Sequence, residues 1–270
     1  MSGGLVKTSD ESSVTWLQAT PPGAFCALFV LAHPDDEAFC LPLITAELRG
    51  GRTVHVVYLT DGGPRAAIRE AESLRVLGRI GVSPERVRFA GREQGWPDGG
   101  LFRHVDAAKA WLARELTAMG PCARIYVTAY EGGHHDHDCS YGIVCALLRD
   151  GLLAETTCLQ FPLYTGRGLS GALFRCMSPI PENGAHLVYP LGAREALSAW
   201  STTTAYPSQW KTWIALGPAS AWAFLARRSI VLQRVDPARV TQAPHQGVPY
   251  YERRFKIPLQ TVLEAVKPRS

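Results

Sequence analysis

The 270-residue chain predicts an α/β fold in which a mostly parallel sheet is flanked by helices, with a C-terminal elaboration. Three observations lead there. Short unbroken apolar runs mark strands buried on both faces. Helical patterns alternate with those runs, and turn residues separate them, as in successive βαβ units. The composition is that of a folded chain, 46% hydrophobic and 19% charged.

Residues 26–31 (CALFVL) form the first apolar run, and residues 37–48 then read as a helix closed by Gly50 and Gly51. Residues 53–59 are rich in β-branched side chains and predict the next strand. After the loop 60–64, an amphipathic helix is expected over 67–80, ended by Gly81. Residues 86–89 read as a short strand, 104–119 as a helix ended by Gly120 and Pro121, and 124–128 as a further buried strand. A polar loop and a helix over 140–152 follow. Beyond residue 155 the pattern loosens to a strand over 157–163, a helix over 193–204 and an apolar helix over 217–226. One domain is expected over 1–270, its core spanning about 24–210 with an extension over about 211–270, and the half beyond about residue 155 is expected to add strands and a wall of the site.

Composition excludes several functions. The net charge of +4 comes from interspersed Lys+Arg 28 and Asp+Glu 24, so no basic stripe for nucleic acid is expected. The apolar run 24–32 is too short to span a bilayer and follows no basic leader, so neither stable membrane insertion nor export is expected. Seven scattered cysteines without a CxxC pair fit a reduced, cytoplasmic protein. Asp61-Gly62-Gly63 is neither GxGxxG nor a P-loop. Oligomeric state is left open.

Chemistry concentrates in two clusters. Ala32-His33-Pro34-Asp35-Asp36-Glu37 follows the first strand, and Gly132-Gly133-His134-His135-Asp136-His137-Asp138 follows the strand over 124–128. Ligands of open α/β sheets bind beyond the carboxyl ends of parallel strands, where both clusters fall. His, Asp and His suit a borderline-soft divalent metal, and three such ligands leave a fourth position for water.

The first cluster resembles the AHPDDE signature of the LmbE/PIG-L family of zinc-dependent N-acetylglucosaminyl deacetylases, and the second resembles that family's GGHxDH signature. Arg69 with Glu72 and the closing Ile80-Gly81 is similar to its RxxE…LG helix, Pro97-Asp98-Gly99 to its PDG turn, and Ala205-Tyr206-Pro207-Ser208-Gln209 to its AxYxSQ element. The resemblance spans residues 27–209 and implies a Rossmann-like, three-layer α/β/α fold. It implies Zn2+ as cofactor, or another divalent metal, held by His33, Asp36 and His137. It implies Asp35 as general base and His134 as the group that polarises the carbonyl or protonates the leaving amine, with Asp136 orienting His134 or tuning its pKa. Arg69 and Asp98 are then expected near the sugar. The activity implied is removal of the N-acetyl group from an N-acetylated amino sugar of a glycan or glycoconjugate. The chemistry is coherent: zinc brings the pKa of a bound water to about 7, and an amide needs both a Lewis acid and a proton donor. The alternatives are an amidase of a larger acyl- or thiol-sugar conjugate on the same metal site, and a non-catalytic glycan-binding relative.

Several residues keep two readings. His135 stands where the family commonly has Pro, and is either a hydrogen-bond donor behind the site or solvent-exposed. Arg69 either contacts sugar or pairs with Glu72 on an exposed helix face. Trp96 either stacks on sugar or fills the core, and Arg65 is a candidate phosphate contact. Phe39-Cys40-Leu41-Pro42 replaces the family's glycines, with Cys40 read as a core residue. His55, His104, His186 and His245 are read as structural or solvated.

Overall fold

The computed structural model describes residues 25–171 and 173–268. Its centre is a seven-stranded sheet in the order β3-β2-β1-β4-β5-β9-β8. Strands β1 (Cys26–Leu31), β2 (Thr53–Tyr58), β3 (Val87–Phe89), β4 (Cys122–Thr128) and β5 (Thr157–Phe161) are mutually parallel. The fold is thus the predicted helix-flanked α/β sheet. Every residue of β1 is buried, so its continuous apolar run reports a strand covered on both faces.

The chain runs outward from β1 to β2 and β3, then returns to place β4 on the other side of β1. Strand order therefore reverses between β1 and β4, where an open α/β sheet leaves a crevice at its carboxyl edge. The two polar clusters follow these two strands. Their convergence is a consequence of topology.

The helices are α1 (Leu41–Arg49), α2 (Ala66–Arg79), α3 (Ala90–Gln94), α4 (Val105–Met119) and α5 (His135–Arg149) in the parallel half. One apolar core lies on each face of the sheet, with Phe29 stacked on Tyr126 at 4.5 Å in the first and Trp96 and Trp111 in the second. At the sheet's opposite end Glu47, fully buried, accepts from Arg124 at 2.9 Å, Arg52 at 3.0 Å and the Tyr126 hydroxyl, so its charge is paired.

Three expectations are corrected in detail. The helix read over 37–48 divides into a 3-10 turn at Asp36–Phe39 and α1, because Pro42 is tolerated only in a helix's first turn. The helix read over 140–152 begins at His135, so the second cluster is the first turn of α5 rather than a loop. His134 is its N-cap, its Nδ1 accepting from Asp136 N at 3.2 Å, and two acidic residues follow where the helix dipole favours them. The helix read over 217–226 starts at Trp210: α7 (Trp210–Ala221) contains Pro218 and runs into a π-turn at Trp222–Arg227.

The later half adds β8 (His186–Pro190) and β9 (Ser229–Arg234) antiparallel at the β5 edge, and a short ribbon of β6 (Tyr164–Thr165) with β7 (Arg175–Cys176). Helices α6 (Ala193–Ser201), α8 (Tyr250–Phe255) and α9 (Leu259–Val266) complete it. All seven cysteines are free thiols. Among the described residues no helix is long and apolar enough to cross a membrane.

Candidate metal centre and active site

After β1 the backbone turns sharply. Asp36 Oδ2 accepts from Ala32 N at 3.1 Å and His33 N at 2.8 Å, closing the loop on its own carboxylate. That turn forces Asp35 to φ 119°, a left-handed conformation unusual for a non-glycine residue. Glu37, fully buried, holds the strained residue: its Oε2 accepts from Asp35 N at 2.9 Å, and its Oε1 from the Tyr206 hydroxyl at 2.8 Å.

From the other strand, α5 presents His134 and His137 to the same point. One ligand atom each from His33, Asp36 and His137 lie within 4.8 Å of one another, all three residues being buried. His137 Nε2 lies 3.2 Å from Asp36 Oδ1, yet this buried nitrogen makes no hydrogen bond. Two donor atoms that face each other without bonding are what a shared cation satisfies. Nitrogen and carboxylate donors suit zinc and several other divalent ions.

A second group, His33, Asp98, His134 and Asp136, also lies within 4.8 Å, but its carboxylates are already engaged. Asp136 accepts from Gly99 N at 2.6 Å, Leu101 N at 3.1 Å and His33 Nε2 at 3.2 Å. Asp98 Oδ2 accepts from Arg69 at 3.0 Å. The residues of the first group therefore fit a metal better. With Nε2 of His33 turned to Asp136, its Nδ1, 3.6 Å from Asp36 Oδ2, is the nitrogen left for an ion.

Electrostatics separate the carboxylates. Burial pushes the Asp35 carboxyl up to about 7 against the pull of Arg69. Burial opposes ionisation of Asp36 too, but His137 and His33 hold it well below the usual range. Burial likewise opposes the hydrogen bond from His33 and the neighbouring histidines at Asp136, which hold it at about 2. Burial and the adjacent His33 keep the His134 imidazole well below its ordinary pKa.

All eight residues singled out in the sequence meet at one place. His33, Asp35, Asp36, Arg69, Asp98, His134 and His137 line a cleft of about 350 Å3, and Asp136 lies fully buried behind them. Two sequence expectations change. Asp136 reaches His134 through its backbone N–H, whereas its carboxylate is directed at His33. Arg69 is not on an exposed face: its guanidinium donates to Pro34 O, Gly62 O, Asp35 and Asp98, while Glu72 accepts from Ser208. A residue so engaged braces both loops.

His135 is buried rather than solvated, donating from Nε2 to Gly99 O at 2.9 Å and stacking on His134 at 4.5 Å. Trp96 and Cys40 belong to the core, and Arg65 donates to Ser208 O. Sequence reasoning missed Glu37 and Tyr206 as partners. It also missed the cleft's aromatic wall: Tyr164, Phe174, Trp213, Tyr250 and Phe255. The Tyr-x-Ser-Gln element was visible, but nothing in it named Glu37 and Glu72 as its partners.

An α/β sheet with a buried His-Asp-His cluster at its switch point defines a protein class with a candidate metal centre. Residues 28–148, the segment that supplies every one of those ligands, match the family described as PIG-L: GlcNAc-PI de-N-acetylase, and this part of the chain is a PIG-L (LmbE-like) domain. Solved structures share the fold. A deacetylase triple mutant of the teicoplanin biosynthetic pathway is 13% identical with a TM-score of 0.56, over 77% of this chain and 97% of that one. A conserved protein of Thermus thermophilus is 19% identical with a TM-score of 0.54, over 79% and 95%. The N,N'-diacetylchitobiose deacetylase of Pyrococcus horikoshii is 14% identical with a TM-score of 0.50, over 86% and 95%.

Proposed function

We propose that this protein is a metal-dependent hydrolase that removes the N-acetyl group from an N-acetylated amino sugar. The observation that carries the reading is the His33-Asp36-His137 cluster with the Asp35 carboxylate beside it, inside the segment that matches the de-N-acetylase family. His33, Asp36 and His137 would hold the ion, for which Zn2+ is the proposed identity. When bound, the metal supplies Lewis acidity and an acidified water.

The protein's own residues divide the remaining work. Asp35 Oδ1 is held by Arg69 at 3.0 Å, which leaves Oδ2 as the atom that takes a proton from the attacking water. The strained backbone, fastened through Glu37, fixes where that atom points. His134 accepts a backbone N–H at Nδ1, so its neutral ring carries hydrogen on Nε2 and donates to the oxygen or nitrogen of the amide being cleaved. Asp136 orients His33, and Arg69 with Asp98 shapes the sugar side of the cleft. Retention of a base beside the cluster favours catalysis over a glycan-binding module. The free cysteines are compatible with a cytoplasmic location.

Mass spectrometry on a panel of N-acetylated sugars, incubated with metal-loaded protein, tests the reading. Loss of one acetyl group that stops with chelator is the expected result. No product across the panel, or protein that takes up no divalent metal, would overturn it.

The apolar wall of Phe39, Leu163, Phe174, Trp213 and Leu216 favours one alternative, an amidase of a larger acyl conjugate. Amine release compared across acyl-chain lengths separates the two, since only the wider substrate needs that wall.

A further inference from the structure

Five of the large apolar side chains that stand exposed among the described residues gather in one region. Trp210 is 52% exposed, Ile214 68%, Trp222 67% and Leu225 38%, and Leu197 of the adjoining helix α6 is 56% exposed. The first four, with the exposed Pro218, recur at intervals of three and four residues along α7 and its π-turn. They therefore form a single row on one side of the helix, about 22 Å long at 1.5 Å per residue. Scattered exposed apolar residues need no explanation, whereas an ordered row that includes two tryptophans does. Helix α6, which carries Leu197, packs against the π-turn and widens the same surface.

Charge tells what this surface meets. Residues 196–228 contain no Asp or Glu, and their charged residues are Lys211, Arg227 and Arg228. Lys211 stands over the Trp210 ring at 5.6 Å. Arg228 is exposed, and so is Arg194 at the start of α6. Glu195, beside Arg194, faces Arg49 at 3.8 Å. An apolar row bordered by cations, in a stretch of chain without Asp or Glu, complements an anionic surface. Tryptophan at the border between apolar and charged groups is the pattern of a helix lying in a headgroup layer.

We propose that the exposed face of α7 and its π-turn docks this protein onto a lipid bilayer carrying anionic headgroups. The helix lies in the interface and does not span it. Lys211, Thr212 and Ala215, on the adjoining strip of α7, line the catalytic cleft, so docking sets the rim of the cleft against the headgroups. The row itself, Trp210, Ile214, Trp222 and Leu225, is outside the cleft.

The test is cosedimentation of the metal-loaded full chain with vesicles of phosphatidylcholine, with and without roughly one-third phosphatidylglycerol. Binding to the anionic vesicles alone, weakening with added salt, is expected. The double substitution Ile214→Glu with Trp222→Glu should weaken that binding by about tenfold or more. Leu225→Glu, at the far end of the row, is a second variant, and near-UV circular dichroism checks the fold of both. Acetyl release from a water-soluble substrate should be unchanged. Equal binding by the variants, equal binding to neutral vesicles, or no binding overturns the proposal. So does a concentration-dependent dimer, seen by sedimentation without vesicles and abolished by the same substitutions. Vesicle binding is read without turnover: a protein that docks but cleaves nothing sinks the hydrolase reading and leaves this one standing.

Discussion

The two walls of the cleft are built on different principles. The wall formed by the loops after β1 and β4 is a network of polar contacts, in which Asp36, Glu37, Asp136 and Arg69 each satisfy two or more groups. The facing wall, from β6, α7 and α8, is mostly aromatic: Tyr164, Phe174 and Tyr250 meet edge to face at 6.0 Å, and Phe255 touches His134 at 4.8 Å. Hydrogen-bond geometry holds atoms to fractions of an ångström, whereas apolar packing tolerates substitution of similar volume. Under the proposed function, the first wall would set the reaction and the second what is admitted to it.

Substitutions sharpen or break that contrast. The largest effect is expected for Asp35→Asn, which keeps the shape and removes the proposed base. kcat should fall by about 10²–10⁴, with metal content by elemental analysis unchanged. Retained kcat would deny the polar wall its chemical role.

Tyr206→Phe comes next. It removes the hydroxyl that Glu37 Oε1 accepts and leaves a buried carboxyl short of a partner, at a cost of about 1–3 kcal/mol in denaturant unfolding. Because Glu37 holds the Asp35 backbone, kcat should drop while KM changes little.

Phe255→Ala should do the reverse. With its ring 38% exposed, KM is expected to rise several-fold while kcat stays within about threefold. If kcat and KM respond alike in both variants, the division between the walls fails.

The smallest effect concerns pH. Glu131 is fully buried with Oε1 accepting from Leu163 N at 2.8 Å and Tyr164 N at 3.0 Å, and burial raises its carboxyl well above the ordinary value. The folded chain therefore binds a proton that the unfolded chain releases near pH 4.5. Stability from this group is full below that pH and declines as pH rises toward the folded value. Glu131→Gln keeps the acceptor and removes the proton, so thermal midpoints measured across pH 5–8 should fall less with pH than in the parent.

The motif-bearing wall was legible because its signals are local. His33 to Glu37 and His134 to His137 are adjacent in the chain and follow apolar runs that read as buried strands. Where the reading failed, a nearby residue had acted against the pattern: Pro42 divided one helix, and the His134 cap started another earlier. Glu37 and Tyr206 went unread because 169 residues separate them, and no periodicity carries such a pairing. The aromatic wall was equally silent, since single aromatics from four separate segments look like ordinary core.

What the amino-acid order dictated, then, is the parallel sheet and the two clusters of candidate site residues, through burial periodicity and the density of ligating groups within a few residues. Packing in three dimensions decided the rest. It chose which nitrogen of His33 faces Asp136, turned Arg69 from a helix-surface cation into a brace between loops, and brought the last quarter of the chain over the cleft. The physical reason is that strand and helix propensities act over a few residues, whereas a buried polar group accepts whichever partner the finished fold brings within about 3 Å.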